Sequence, residues 1–279
     1  MIFARDKSQM CNNLLQFAHV YAYGREHGRH VLSMRFSYKY PYFRIRHTGH
    51  TSFVLYLLVK IAAALRLIPT ANYRPGCDRE ALNRFVDRHR HVVVAGWEVR
   101  HYDLFLKYRN EICDLFRIDE AYTLPVLAKM RILDEDKGVR LGLHVRRGDY
   151  AQWADGHYFY DDATYAAYVR AFARLHPGET VHVYISTNDA ALTAERMQQL
   201  VKSGTQDGNV SVHLLGGNPA EDLFMLSMCD AVIGPPSTFS LVAAMYRDIP
   251  LCRMDRAKAE TLAEEDFRKF DYWFRQIGK

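Results

Sequence analysis

The sequence predicts an α/β protein built on parallel sheets and divided into two domains. Short apolar or β-branched runs alternate with segments of helical periodicity, and strands separated by helices of such length form parallel sheets covered on both faces. A chain of 279 residues suits two domains of ordinary size. The polar stretch Asp134-Glu135-Asp136-Lys137-Gly138 interrupts the alternation and marks a boundary between residues 1–135 and 136–279.

In the first half, residues 1–4 read as a strand, 13–28 as a helix and 30–36 as a second strand. The aromatic segment 38–43, broken by Pro41, reads as irregular or edge structure. A helix over 53–67 precedes a loop at 69–77 that carries Pro and Gly, and 91–95 is β-branched and reads as a buried strand. Helices over 102–118 and 124–133 follow. In the second half strands at 140–145, 180–186, 209–215 and 231–234 alternate with helices at 162–175, 190–202, 220–228 and 239–247. The final helix is allowed to pack back on the first domain.

Composition narrows the function classes. Apolar and aromatic residues make up 49% of the chain, enough for a core and against disorder. A net charge of +5 suits an anionic small ligand such as a sugar nucleotide. No Lys/Arg run of the kind that tracks a nucleic-acid backbone occurs. Cys11, Cys77, Cys113, Cys229 and Cys252 lack any Cys-x-x-Cys spacing, so they read as free thiols of a reducing compartment. Met1-Ile2-Phe3-Ala4 is too short for a signal peptide, and a cytoplasmic protein is expected. The most membrane-like stretch runs from Ser52 to Pro69, but Lys60 and Arg66 interrupt it before bilayer length. A buried helix is the preferred reading there, and a peripheral membrane contact is the alternative. His89 with His91, and His47 with His50, lack the carboxylate or thiolate set that would complete a metal site. Tyr38, Tyr40, Tyr42 and Phe43 read as packing rather than sugar recognition.

Three segments at the carboxyl ends of expected strands carry chemistry, and ligands of open parallel sheets bind at such ends. Leu141-Gly142-Leu143-His144-Val145-Arg146-Arg147-Gly148-Asp149-Tyr150 delivers two guanidinium groups and a glycine from an apolar run. Two such forks can clamp a diphosphate, and Gly148 lets the backbone pass close to it. The bland alternative is ion pairing of Arg146 and Arg147 with Asp149 and its neighbours. Ser186-Thr187-Asn188-Asp189 is expected to cap the next helix, with ligand contact second. In Gly234-Pro235-Pro236-Ser237-Thr238-Phe239-Ser240 a helix start rich in hydroxyls forms an anion site, or a cap alone. Asp222 could accept hydrogen bonds from a purine edge or complement its helix dipole.

Together these segments resemble the signature motifs of the fucosyltransferases that use GDP-fucose. His144 to Tyr150 is similar to the first motif, and Ser237-Thr238-Phe239-Ser240 with Ala243-Ala244 to the third. Ser186 to Asp189 stands where the second is expected. Asn12-Asn13-Leu14-Leu15-Gln16-Phe17-Ala18, and the stretch from Ala95-Gly96-Trp97-Glu98 to Phe105, resemble segments of the α-1,2 group. The chain departs from the family at residues 6–11, where glycines are usual, at Thr187-Asn188, where acids are usual, and at Pro235-Pro236.

The resemblance implies a GT-B fold, two Rossmann-like domains facing across a cleft. It implies an inverting enzyme that moves fucose from GDP-fucose to a galactose-containing glycan acceptor, with an α-1,2 linkage expected, without cofactor or metal. His144 would then contact the nucleotide, Arg146 and Arg147 the diphosphate, Asp222 the guanine, and Ser237, Thr238 and Ser240 the phosphates or ribose. Asn12 would close near the donor. Arg146 would be catalytic, and Asp149 and Glu98 are the candidate bases, although Asp149 reads better as an orienting partner of the arginines. Another GDP- or deoxysugar-dependent transferase, or a non-catalytic nucleotide-binding module, are the alternatives.

Overall fold

The computed structural model describes residues 1–5, 8–133, 137–203 and 209–277. Most of the expected boundary, Asp134 to Asp136, lies outside the described residues, as do Asp6 and Lys7 of the amino-terminal loop. The chain divides into two compact units, Met1–Asp119 with the chain end from Arg275, and Glu120–Phe274. Both are mixed α/β with parallel sheets.

Unit 1 contains β1 (Ile2–Arg5), α1 (Met10–Glu26), β2 (Val31–Ser33), α2 (Phe53–Ala64), β3 (Thr70–Asn72), α3 (Arg79–Arg88), β4 (Val92–Ala95), α4 (Tyr102–Lys107) and α5 (Arg109–Leu115). Its sheet runs β2-β1-β4-β3, with all pairs parallel. The Val92-Val93-Val94-Ala95 strand is buried throughout, as befits a run covered on both faces. Helix α1 is buried around nearly its whole circumference, the pattern of a helix enclosed by its own domain.

Three expectations are corrected here, and one helix was not anticipated. The helix expected over 102–118 breaks at Tyr108 into α4 and α5. The loop expected at 69–77 contains β3, a three-residue strand too short for periodicity to reveal. Helix α3 escaped the apolar pattern because Val86 is its single buried residue among Arg79, Glu80, Arg84, Asp87 and Arg88. It is announced instead by its cap, since the Asp78 carboxylate accepts from the Ala81 N–H at 2.9 Å. Finally, α2 is not a buried helix: Val59 alone is buried, and Phe53, Val54, Leu58 and Ile61 face out.

Unit 2 contains α6 (Glu120–Leu133), β5 (Gly138–Val145), α7 (Asp162–Leu175), β6 (Thr180–Thr187), α8 (Ala194–Lys202), β7 (Val210–His213), α9 (Pro219–Ser227), β8 (Ala231–Gly234), α10 (Thr238–Arg247), β9 (Leu251–Arg253) and α11 (Phe270–Phe274). The sheet order is β7-β6-β5-β8-β9, all parallel. Leu141, Leu143 and Val145 point to one face, into a core with Tyr165, Val169 and Phe172 of α7. Gly142 points to the other, where an added Cβ would lie 2.9 Å from Leu226 of α9. The chain leaves β5 for β6 and β7 on one side and returns to β8 and β9 on the other. The carboxyl ends of β5 and β8 therefore flank the point where a ligand crevice forms in such sheets.

Candidate functional site

The pleat of β5 decides what the tandem arginines do. Successive side chains of a strand point to opposite faces, so Arg146 follows His144 and Arg147 follows Val145. Arg147 is tied down: Nη1 donates to Asp189 at 3.0 Å, Nη2 is bound to Asp162, and Asp162 also takes Arg196 at 2.6 Å. Its backbone is gripped too, since its N–H donates to Asn188 Oδ1 at 2.7 Å and its carbonyl accepts from Asn188 Nδ2 at 3.2 Å. Asn188 and Asp189 thus brace the arginine loop, which corrects the capping expectation. Helix α8 starts later and is capped by Thr193, which accepts from the Arg196 N–H at 3.2 Å. Gly148 has φ of +60°, the left-handed region that suits a residue without a side chain.

Arg146 has different company. Its Nη2 lies 2.8 Å from Asp149, whose side chain is 56% exposed, and its Nε is buried without a hydrogen-bond partner. The guanidinium stands 5.4 Å from the centre of the Tyr150 ring. The Tyr150 hydroxyl donates to the Pro236 carbonyl at 2.7 Å, which latches the β5 loop to the β8 loop. On the same face the His144 ring shares a 3.1 Å hydrogen bond with Ser240 Oγ and packs on Phe239. Burial, then the charge of Arg146, push His144 down to about 3, so the imidazole is neutral at physiological pH. Ser237 is the N-cap of α10, accepting from the Phe239 N–H at 3.2 Å, and Thr238 opens that helix. The structure therefore brings Arg146, His144, Ser237, Thr238 and Ser240 to one edge and sends Arg147 to the other face.

One contributor had no motif to announce it. Arg253 ends β9 opposite Gly234. It is stacked 4.7 Å over Trp273, its Nε is buried and unpartnered, and no carboxylate pairs with it among the described residues. Burial lowers its pKa, opposed by the hydroxyls of Tyr158 and Tyr150. Arg146 and Arg253 both act on the Tyr150 phenol, so two cations share its neighbourhood. An isolated arginine closing a three-residue strand carries no recognisable spacing; the signal was its position at a strand end.

Asp222 lies in α9, whose N-cap Asn218 and Glu221 form a capping box preceding Pro219. One carboxylate oxygen accepts from Ser186 Oγ at 2.8 Å. Burial raises Asp222 to about 6, against the lowering effect of the Ser186 hydrogen bond. Ser186 pairs with His144 in the sheet, so this carboxylate belongs to the same edge.

Asn12 and Glu98 are in unit 1. Asn12 Nδ2 donates to Ser8 Oγ at 2.9 Å and lines a cavity of about 450 Å³ at the carboxyl ends of β1, β3 and β4, with Arg5, Gln16, Asn72, Arg74 and Trp97. Gly96 borders it with φ of +107°, where a Cβ would strike the Tyr73 carbonyl at 2.1 Å. Glu98 sits beside this segment and is paired with Arg79 at 2.7 Å. In unit 2 a second cavity of about 600 Å³ opens between α7 and α8, but its cations Arg147 and Arg196 already share the carboxylates of Asp162 and Asp189. Among the described residues no three His, Cys, Asp or Glu side chains gather to hold a metal ion.

No family profile matches the chain, and no curated protein sequence does. Several solved structures share its fold. An arginine-to-lysine mutant of Arabidopsis thaliana FUT1 in complex with GDP superposes with a TM-score of 0.66 at 13% identity, covering 96% of this chain and 72% of that one. The fucosyltransferase NodZ from Bradyrhizobium gives 0.54 at 14% identity, covering 91% and 94%. POFUT1 in complex with GDP gives 0.56 at 12% identity, covering 89% and 94%. At such identities the likeness establishes the fold alone.

Proposed function

We propose that the chain is an inverting fucosyltransferase that moves fucose from GDP-fucose to a hydroxyl of a galactose-containing glycan, forming an α-1,2 linkage on a two-domain GT-B scaffold. The observation that carries this reading is the single edge of unit 2 where Arg146, His144 and Ser240 meet the amino terminus of α10. Supporting it, the fold neighbours include FUT1 and POFUT1 with GDP and the α-1,6-fucosyltransferase NodZ soaked with GDP-fucose. The α-1,2 assignment rests on the Asn12–Ala18 and Ala95–Glu98 segments alone.

In this reading the α10 terminus and Ser237, Thr238 and Ser240 receive phosphate or ribose oxygens, neutral His144 contacts the nucleotide, and Asp222 accepts the guanine N–H edge. As the glycosidic bond breaks, negative charge collects on the β-phosphate while the sugar becomes oxocarbenium-like, and Arg146 offsets that charge. Arg253 supplies the second cation, and Arg147 holds the loop in shape. Asn12 closes near the donor. Asp149 orients Arg146, and it or Glu98 takes the acceptor proton late in the reaction. With two arginines on the leaving group, transfer proceeds without a metal.

The test is incubation with GDP-fucose and a panel of β-galactosides in the presence of a chelator. GDP release coupled to a fucosylated product is expected, with Arg146→Ala slower by on the order of 10²-fold to 10³-fold. Turnover with a different GDP-sugar would change the donor. GDP binding without turnover would leave a nucleotide-binding module, and no GDP binding would overturn the site.

A further inference from the structure

Helix α2 is apolar on both sides. Tyr56, Val59 and Ala63, at helical spacing, rest on Phe3, Leu32, Met34 and Val93 of the sheet. The opposite side presents Val54 (65% exposed), Leu58 (58%), Ile61 (58%) and Leu65 (64%). Soluble chains rarely leave so continuous an apolar stripe in water without a partner for it. We propose that this face docks unit 1 onto an anionic membrane surface, with α2 lying in the plane of the interface.

Length and charge select that occupant. A helix of 12 residues is about 18 Å long, short of the roughly 30 Å hydrocarbon core. Among the described residues no helix is long and apolar enough to cross a membrane. A flat pose remains, and it needs basic flanks. Between Glu26 and Asp78 the sequence has eight Lys or Arg and not one Asp or Glu. Three of the basic residues lie near the helix, two of them beside Tyr56 at the margin where α2 meets the sheet and one after its end. Lys60 reaches back over the Tyr56 ring at 5.8 Å, Arg66 follows the helix end, and Arg35 donates to Tyr38, which stacks on Tyr56 at 4.6 Å. Long cationic stems flanking an apolar stripe place their charges at headgroup level, and Tyr38, 41% exposed, suits the same layer. A twofold dimer through this face would instead set each basic flank against its copy, because such an interface is self-complementary. The inference is independent of the transfer reaction.

The experiment is co-sedimentation of the full chain with vesicles of phosphatidylcholine alone and of phosphatidylcholine mixed equally with phosphatidylglycerol. Three basic residues at the surface predict partitioning on the order of 100-fold stronger to the anionic vesicles, weakened by added salt. The double variant Leu58→Glu, Ile61→Glu, whose side chains are already in solvent, is expected to lose that partitioning while its circular dichroism and melting temperature stay those of the parent. Equal or absent partitioning to both vesicles would overturn the proposal. So would a dimer, seen by sedimentation velocity, that the double variant dissociates.

Discussion

At the scale of single residues, charge without compensation separates ligand groups from framework groups. Arg147 is satisfied by two carboxylates, whereas Arg253 is buried against Trp273 with none. A desolvated cation lacking a counter-charge costs stability, and a site that binds anions has reason to retain it. Arg253→Met, which keeps the stacking volume, is therefore expected to raise stability by about 1 kcal/mol in urea titrations and to weaken GDP binding. Weakened stability with unchanged GDP affinity would show a packing role only. Asp222 carries a pH signature. Burial raises its pKa to about 6, so the carboxyl group is an ionised acceptor above that pH and is progressively protonated below it. GDP affinity is expected to fall as pH drops through 6, approaching tenfold per pH unit, and the dependence is expected to flatten in Asp222→Asn. His144, held near 3 by burial and then Arg146, contributes nothing in that window.

At the scale of elements, Arg147 joins the β5 loop to Asp162 in α7 and to Asp189 after β6. Arg147→Ala leaves Asp189 without its cation and leaves Asp162, which is nearly fully buried, with Arg196 alone. A loss of about 3 kcal/mol in chemical denaturation is expected, while Arg146→Ala, whose partner Asp149 is exposed, is expected to shift stability by less than about 1 kcal/mol. The elements also show what the sequence could reveal. Residues 162–175 and 231–234 are legible to the residue because the first combines an acidic start with helical periodicity and the second is a bounded apolar run. Strands β3 and β9 span three residues each and offer no period to read. The tandem arginines were legible as a site but not as a division of labour, because a motif lists residues in line while the pleat deals them to opposite faces. The grip of Asn188 and Asp189 on Arg147 is a contact across the sheet, invisible to local capping rules.

At the scale of the molecule, each unit is a parallel sheet whose carboxyl edge gathers polar side chains, amides and arginines around β1, β3 and β4 in one and cations with hydroxyls around β5 and β8 in the other. The positive balance of the chain is unevenly spread, since its acid-free span lies wholly within unit 1. The outward stripe of α2 has a kinetic corollary. A catalyst resting on a sheet of lipid searches in two dimensions, and its encounters with anything borne on that sheet depend on molecules per unit area rather than per unit volume. Dilution with empty vesicles would then slow such encounters even at constant bulk composition, the hallmark of surface-dilution behaviour.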